Sequence, residues 1–471
     1  MWPQEIEPSI ACWWKGNGRA AEPVFGGMVV SEKKSPIPIL FLVVTVDMIG
    51  FGIIIPFLTY MVADLSEPGA DIGLWVGALM AAYAAAMFLF SPFWGSLSDR
   101  IGRRPVLMIG LLGNTLAFIA LGLSITLWMA LAARLFAGMV NANLSVARAY
   151  IGDISKPHEV ARRQGILGVA FGVGFSIGPA LGGMLSSPAT WTWTDAFVGT
   201  IFETYPYLLP CLASSVLSFT GLMFATTRLK ESHPLEVRTS SQKRSTLGIL
   251  NDNLNDMGLM FKRPTLSPLL WSFAFYWVAF TIMHVTFILF TMRPVSDGGL
   301  GFSESDNGWV FAFIGLCGII TQGWLIGPLT DRFSSSRLMA GGFLISGFGL
   351  VAIPYVPPRY AMLGILFVSG LISLGNGLVQ PSNMTLLTHV SGPGERGIVM
   401  GVSESLRAIA SFIGVIIGGL VWDLTVNRTD VFDFHTVFQM SGVFVIVGWI
   451  CFRFSTSWKV EQRLPRGNES E

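Results

Sequence analysis

Twelve long apolar runs constrain the fold of this chain more than any other feature of its sequence. A transmembrane helix needs roughly 17 to 25 predominantly apolar residues, whereas a barrel strand shows about ten residues of alternating polarity. These runs are continuous and Gly-dotted, as packed transmembrane helices are. The sequence therefore predicts an all-α integral membrane protein with twelve transmembrane helices. The runs lie near residues 37–58, 73–97, 105–124, 126–148, 164–185, 206–226, 267–291, 308–331, 338–355, 360–384, 397–421 and 437–453.

The composition excludes most other classes of protein. Only 13% of the residues are charged and 52% are hydrophobic, whereas soluble domains carry roughly 25% charged residues. A water-soluble globule and a disordered chain are both excluded. The net charge of +1 lacks the basic surplus that neutralises nucleic-acid phosphates, so no nucleic acid is expected as a partner. Four widely separated Cys residues indicate neither a disulfide framework nor a zinc site.

The basic residues predict the orientation and the domain order. If both termini face the cytoplasm, the tails and internal loops hold 24 of the 30 Lys and Arg residues, as the positive-inside rule requires. The outer loops then hold only Arg293, Arg359 and Arg428. The expected order is a cytoplasmic tail (1–36), a six-helix bundle (37–227), a cytoplasmic linker (228–264), a second six-helix bundle (265–455) and a cytoplasmic tail (456–471).

The two halves of the chain repeat each other. Residues 95–100, Gly-Ser-Leu-Ser-Asp-Arg, recur at 327–332 as Gly-Pro-Leu-Thr-Asp-Arg, each at the cytoplasmic end of the second span of its half. Many secondary transporters are built from such repeats, with the binding site near the midplane between them.

Four segments resemble a known family. GSLSDRIGRRPVL at 95–107 resembles the cytoplasmic signature loop of the major facilitator superfamily. Residues 134–153 resemble its fourth-helix motif with an intramembrane Arg, and residues 168–183 resemble the fifth-helix Gly-Pro signature of its antiporters. Residues 47–58 resemble the first helix of the twelve-span drug/proton antiporters, most closely the tetracycline-efflux type. The resemblance implies two pseudo-symmetric six-helix bundles. The acidic residues of the third and ninth spans of tetracycline exporters have no counterpart in 105–124 or 338–355.

The resemblance also implies a cytoplasmic gate and an antiporter helix. Asp99 is expected to face the positive end of the helix that begins near Gly397, and Arg103 to pair with Asp153. Gly95 allows close packing of the second span, and Gly102 a turn that other residues resist. The expected gate residues are Gly95, Asp99, Arg100, Gly102, Arg103, Arg104 and Asp153. In the expected antiporter helix, the glycines supply a small-residue face for close packing and the proline bends the helix. These residues are Gly174, Gly178, Pro179, Gly182 and Gly183.

Five ionisable residues inside the apolar runs are the candidates for proton coupling or substrate binding. A charge at mid-bilayer costs at least about 2.5 to 3.5 kcal/mol, so it usually faces a cavity or a partner. Asp47 is the candidate proton carrier, and Arg134 matches the motif Arg that the family implicates in coupling. His284, Glu404 and Arg407 complete the set. Each has a structural alternative: a paired charge for Asp47, a carbonyl partner for Arg134, a hydrogen-bonded core position for His284 and a one-turn pair for the other two.

These features predict a proton-coupled antiporter that exports a small amphipathic or drug-like molecule by alternating access. No G-x-x-x-x-G-K-[ST] loop, catalytic triad or metal-ligand spacing is present in the sequence, so we expect no enzyme activity and no cofactor. The expected partners are a small-molecule substrate, protons and the lipid bilayer, with a monomeric chain in a bacterial inner membrane. Two alternatives remain open: a symporter or uniporter that imports a sugar, carboxylate or other metabolite, and a non-transporting receptor on a transporter fold.

Overall fold

The computed structural model describes residues 36–141, 143–155, 160–191, 195–232, 257–391, 396–427 and 433–455. All regular secondary structure in these ranges is helical. Apart from Pro36, the expected N-terminal tail lies outside the described residues, as do the expected C-terminal tail and most of the linker.

The helices fall into two sets. In the first half of the chain they are α1 (Ile37–Leu65), α2 (Ile72–Ile101), α3 (Arg103–Gly122), α4 (Leu127–Val140), α5 (Asn143–Ile154), α6 (Val160–Leu185), the one-turn α7 (Ile201–Thr204) and α8 (Leu208–Thr227). In the second half they are α9 (Ser267–Met292), α10 (Glu304–Ile320), α11 (Ile326–Arg332), α12 (Ser335–Ala352), α13 (Ala361–Val390), α14 (Arg396–Asn427) and α15 (His435–Arg453).

Every predicted apolar run is largely helical in the described residues, which confirms the all-α membrane fold. Within the described ranges, eleven helical segments are long and apolar enough to cross a bilayer, and the shorter apolar segment Gly172–Leu185 of α6 is the twelfth. Several helices extend beyond the predicted runs, as α1 does to Leu65. Hydropathy ends a helix too early because helices continue as polar turns beyond the hydrocarbon core.

Two spans that the sequence predicts as uninterrupted helices are irregular. The fourth span is divided into α4 and α5, with Asn141 extended between them (φ −77°, ψ 92°). The side chains of Asn141 and Asn143 hydrogen-bond to Tyr83 and Asp47 on other helices. The eighth span contains a π-helical turn, Thr321–Leu325, between α10 and α11. Such turns inside α-helices frequently occur at functional sites.

Glycines of α6 let that helix lie directly against α1. A Cβ at Gly178 would lie 2.6 Å from the Ile49 carbonyl oxygen, and one at Gly174 would lie 2.5 Å from the Met48 Cβ. Small residues permit this close approach in membrane helix pairs. The small-residue face that the sequence predicts on α6 is therefore present, and it is occupied by α1.

Two glycine crossings join the halves of the chain at one end of the molecule, which the positive-inside rule makes the outer end. At the first crossing, a Cβ at Gly73 of α2 would lie 2.7 Å from the Gly419 carbonyl oxygen of α14. At the second, a Cβ at Gly308 of α10 would lie 2.9 Å from the Pro179 carbonyl oxygen and 3.1 Å from the Gly183 Cα of α6. Backbone packs on backbone at both places, so the described helices of the two halves are in direct contact at this predicted outer end.

Candidate transport cavity

A cavity of about 210 Å³ lies between the two halves of the chain. Helices α1, α2 and α4 supply one wall, and α9, α10 and α14 supply the other. The lining is mostly apolar with a few polar groups, as in most small-molecule sites. The lining residues are Phe51, Ile54, Ile55, Leu58, Met80, Tyr83, Ala84, Met87, Arg134, His284, Phe311, Arg407, Ala408 and Ser411.

Arg134 is the most deeply buried charged group of the lining. It is 5% exposed, and its guanidinium carbon lies 4.5 Å from the centre of the Tyr83 ring. This cation–π contact is its principal interaction, because no hydrogen bond or ion pair joins Arg134 to any described residue and its Nε is buried without a partner. The carbonyl partner that the structural alternative requires for Arg134 is therefore not found among the described residues.

Arg407 lines the opposite wall and is paired. Its Nη2 lies 2.6 Å and its Nε 3.1 Å from the two carboxylate oxygens of Glu404, one turn away on α14. The guanidinium also lies 5.1 Å from the centre of the Trp277 ring. Glu404 reaches across to the first half of the chain, where its Oε1 lies 3.8 Å from Nη1 of Arg148 on α5. One carboxylate is thus shared between arginines of both halves.

His284 lies on α9 and lines the cavity, half-buried against Phe280 with ring centres 4.7 Å apart. No hydrogen bond joins the imidazole to another described residue. The structural alternative for His284, a hydrogen-bonded position in the core, therefore has no support among the described residues.

Asp47 is not among the residues that line this cavity. It is 2% exposed, and its two carboxylate oxygens accept hydrogen bonds from Nδ2 of Asn114 (2.9 Å) and Nδ2 of Asn143 (3.0 Å). All three residues belong to the first half of the chain. No cation in the described ranges forms an ion pair with Asp47. Among the described residues, the partners of Asp47 are therefore neutral amides and not the opposite charge that the structural alternative requires.

The outer closure contains a helix cap supplied by the opposite half. Asp71 occupies the N-cap position of α2, yet its side chain makes no cap hydrogen bond. Instead, Asp423 of α14 accepts hydrogen bonds from the backbone N–H groups of Gly73 (2.8 Å) and Leu74 (2.6 Å). These are the second and third helical positions, whose N–H groups lack partners within the helix. The carboxylate also faces the positive end of the α2 dipole.

A second polar link crosses the outer end. Oη of Tyr60 on α1 donates a hydrogen bond to the carbonyl of Phe302 (2.5 Å) and accepts one from Nδ2 of Asn307 on α10 (2.8 Å). Thr291 donates to Oδ1 of the same asparagine (2.9 Å). Both links hold the two halves together above the cavity.

Asp99, Arg103 and Asp153 of the predicted gate form an ion-pair network at the opposite end, which the predicted orientation places on the cytoplasmic side. Arg103 lies 2.6 Å from Asp99 and 3.0 Å from Asp153, the pairing that the sequence predicts. Gly102 has a φ of +103°, as expected of a turn that favours glycine. Arg104 donates to the carbonyls of Ala225 and Thr226, which ties the loop to α8. Arg100 is exposed.

The described partners of this network lie in the first half of the chain and at the start of the linker, where Glu231 accepts from the backbone N–H groups of Arg103 and Arg104 and Ser232 donates to Asp153. The carboxylate of Asp99 pairs with Arg103 and does not hydrogen-bond to the described start of α14. A Cβ at Gly95 or at Gly401 would meet no atom within 4 Å. The close packing that the sequence predicts at Gly95 is therefore absent from this conformation. Among the described residues, the glycine crossings therefore join the halves at the predicted outer end, and the positions of Gly95 and Gly401 show no such crossing beside the signature loop.

Comparison with known proteins agrees with this architecture. The sequence profile described as Major Facilitator Superfamily matches residues 40–415 and 298–469. The chain belongs to the major facilitator superfamily. This facilitator is 28% identical over 382 residues to the tetracycline resistance protein, class C, of Escherichia coli, with 79% of this chain and 86% of that protein covered.

Two further similarities extend the comparison. The facilitator is 27% identical over 395 residues to a probable peptide/nitrate transporter of Arabidopsis thaliana, with 80% of each chain covered. The crystal structure of the human organic anion transporter MFSD10 (TETRAN) aligns with a TM-score of 0.62 at 21% identity, covering 88% of this chain and 98% of that one. The facilitator is a multi-pass integral membrane transporter and not an enzyme.

Several residues of the site escape sequence reasoning. Tyr83 and Arg148 lie in ordinary apolar or amphipathic helix sequence, and only the fold places them beside Arg134 and Glu404. Asp423 sits near the end of an apolar run and resembles a solvent-exposed terminal charge. The two asparagines around Asp47 carry a weak signal, because buried amides in membrane helices usually bond to another helix.

Proposed function

We propose that this facilitator is a proton-coupled antiporter that exports a small amphipathic or drug-like molecule by alternating access. The observation that carries the proposal is the position of the cavity: both halves line it, the two halves pack on each other at the predicted outer end, and Asp99 of the signature loop pairs with Arg103 of its own half. The moving units are the bundles 37–227 and 265–455, joined by the linker 228–264. The bacterial inner membrane is the proposed location, because the class C relative comes from Escherichia coli.

Asp47 is the proposed proton carrier. A guanidinium offers only donors and keeps a paired carboxylate ionised, whereas an asparagine amide can present its N–H to the ionised carboxylate or turn its C=O toward the protonated acid. The amide partners of Asp47 therefore suit a group that loads and releases a proton. Glu404 is the second candidate, and its proton uptake requires that the pair with Arg407 opens. The proposal assigns proton coupling to Asp47, and coupling or substrate contacts to Arg134, His284, Glu404 and Arg407.

The cytoplasmic gate and α6 have proposed roles in the conformational cycle. When the cavity opens outward, Asp99 would leave Arg103 and cap the start of α14 from the cytoplasmic side, as Asp423 caps α2 from the outer side here. The glycines of α6 and Pro179 form the surface against which α1 and α10 move. Import by symport or uniport uses the same motions in reverse and is separated from export by the direction of transport alone. A receptor role would leave no transport at all.

The test is transport in sealed inside-out vesicles from an efflux-deficient host. A panel of amphipathic dyes and antibiotics is offered with an imposed pH gradient, acidic inside, and uptake is followed by fluorescence or radiolabel. We expect accumulation of at least one compound that stops when the gradient is collapsed. Transport that ignores the gradient would contradict proton coupling, and an absence of transport for every compound would favour the receptor alternative.

A variant pair isolates the role of Asp47. We expect Asp47→Asn to abolish gradient-driven accumulation while counterflow exchange of the same compound continues, because the amide preserves the cavity but carries no titratable proton. The matched control is Asp195→Asn, at an exposed position in an outer loop, which should leave both measurements unchanged. Equal loss of exchange and of accumulation in Asp47→Asn would assign the residue a structural role.

A further inference from the structure

We propose that the transported molecule is an amphipathic organic anion whose carboxylate or sulfonate group binds the Arg134 guanidinium inside the central cavity. This inference rests on the proposed function and specifies its substrate class. It follows from three properties of the cavity: an unpartnered buried cation, a lining without acidic side chains and an apolar wall.

The unpartnered cation is Arg134. Its side chain lines the cavity, it is 5% exposed, and its guanidinium has no hydrogen-bond or ion-pair partner among the described residues. Removing such a group from water is costly unless an anion or hydrogen-bond acceptors replace the water. The Tyr83 ring offsets only part of this cost, because it contacts the face of the guanidinium and leaves the N–H donors at its edge without acceptors. The in-plane N–H donors match a carboxylate, which binds two of them side by side.

The charge of the lining has one sign. Its ionisable members are Arg134, Arg407, His284 and Tyr83, and no Asp or Glu lines the cavity. Glu404 pairs with Arg407 and Arg148, and the Asp47 carboxylate is held by two asparagines. An organic cation entering this space meets the guanidinium of Arg134, which has no counter-charge among the lining residues. An anion meets the N–H donors of Arg134 on one wall and the guanidinium of Arg407 on the other.

The remaining wall selects an apolar body. Phe51, Ile54 and Leu58 of α1 face the cavity from the first half, and Phe311 faces it from the second. The Phe51 ring packs on the Tyr83 ring at 5.5 Å, so the aromatic surface continues up to the Arg134 guanidinium. A ligand with a planar hydrocarbon body and one terminal acid group satisfies both parts of the surface.

The test is equilibrium binding without any gradient. Purified full-length protein in phosphatidylcholine nanodiscs is titrated by calorimetry with three probes of the same shape: naphthoate, naphthylmethanol and naphthylmethylammonium. We expect naphthoate to bind at least about ten-fold more tightly than the neutral alcohol, and the ammonium compound to bind most weakly. Equal affinity for naphthoate and the alcohol, or a preference for the ammonium compound, would overturn the proposal without any variant.

Variants then assign the acid group to its partner. Arg134→Gln should weaken naphthoate binding by roughly ten- to a hundred-fold and leave the alcohol unaffected, while Arg134→Lys should retain part of the preference. The matched control is Arg359→Gln, at an exposed position outside the cavity, which should bind like the wild type. If Arg134→Gln binds naphthoate unchanged, the assignment is wrong.

A lipid headgroup is the other source of such an anion. The naphthoate titration is therefore repeated in nanodiscs of phosphatidylglycerol. Unchanged affinity supports a soluble ligand, whereas competitive loss would overturn that assignment in favour of lipid. These outcomes are independent of the vesicle assay: a missing anion preference leaves proton-coupled transport intact, and transport that ignores the pH gradient leaves the binding preference intact.

Discussion

The cap that Asp423 places on α2 makes a quantitative prediction about conformational equilibrium. In the structure both oxygens of Asp423 are bonded to backbone N–H groups of the opposite half, and the side chain is nearly inaccessible, with the residue 8% exposed. In Asp423→Asn one oxygen is replaced by an amide group that faces an N–H donor, so one charge-assisted bond is lost. Such a bond contributes about 2 kcal/mol. The loss applies only while the outer end is closed.

The expected result is a shift toward the outward-open state. About 2 kcal/mol changes the ratio of the two states by about 30-fold. A wild type with about 1% of molecules open outward becomes a variant with about one quarter open. The measurement is the distance between nitroxide labels on Glu67→Cys and Ser296→Cys, two exposed outer-loop positions in opposite halves. Buried Cys211 is retained, and the other three cysteines are replaced by serine.

Double electron–electron resonance should show a longer-distance population in Asp423→Asn that the wild type lacks. Asp195→Asn is the control at an exposed outer-loop acid, and its distance distribution should match that of the wild type. An unchanged distribution in Asp423→Asn would refute the reasoning, since it would mean that the cap contributes equally to both states or to neither.

Three further predictions follow from the same contacts. Gly183→Ala should lower the melting temperature and slow transport, because the added Cβ would press on the Glu304 backbone. The control is Gly152→Ala, where a Cβ meets nothing within 4 Å, and it should leave both measurements unchanged. Equal effects of the two substitutions would contradict the role of the crossing. Arg103→Gln should cost about 1 to 3 kcal/mol of stability because it removes the cation that contacts the carboxylates of Asp99 and Asp153. Chemical denaturation measures this loss, and unchanged stability would contradict the prediction. Glu404→Gln should tighten naphthoate binding several-fold in calorimetry by freeing its arginine partners; weaker binding would count against the assigned cavity charge.

The fold was accessible from the sequence because the bilayer leaves few choices. Each apolar run must satisfy its own backbone hydrogen bonds, so length and continuity suffice to define a helix. The breaks were not accessible. In the sequence, Asn141 and Asn143 are ordinary turn-preferring residues. Only the structure shows that their side chains donate hydrogen bonds to Tyr83 and Asp47.

The candidate site was accessible only in part. A charge in an apolar run is costly, which singles out Asp47 and Arg134 from sequence alone, and one-turn spacing predicts the pairing of Glu404 with Arg407. Sequence spacing carries no information on contacts between distant segments. The link from Asp423 to the start of α2 spans some 350 residues, and no local pattern announces it.

The two glycine crossings separate the mechanics of this transporter from its selectivity. The helices meet there largely through their backbones, and the Asp423 side chain at the first crossing is bound to α2, so we expect these surfaces to contribute little to the recognition of a cargo molecule. Recognition is left to the side chains of the wall, such as Phe51 and Phe311. Substitutions in the cavity wall can therefore change which molecule is transported while the glycine crossings between the two halves stay intact.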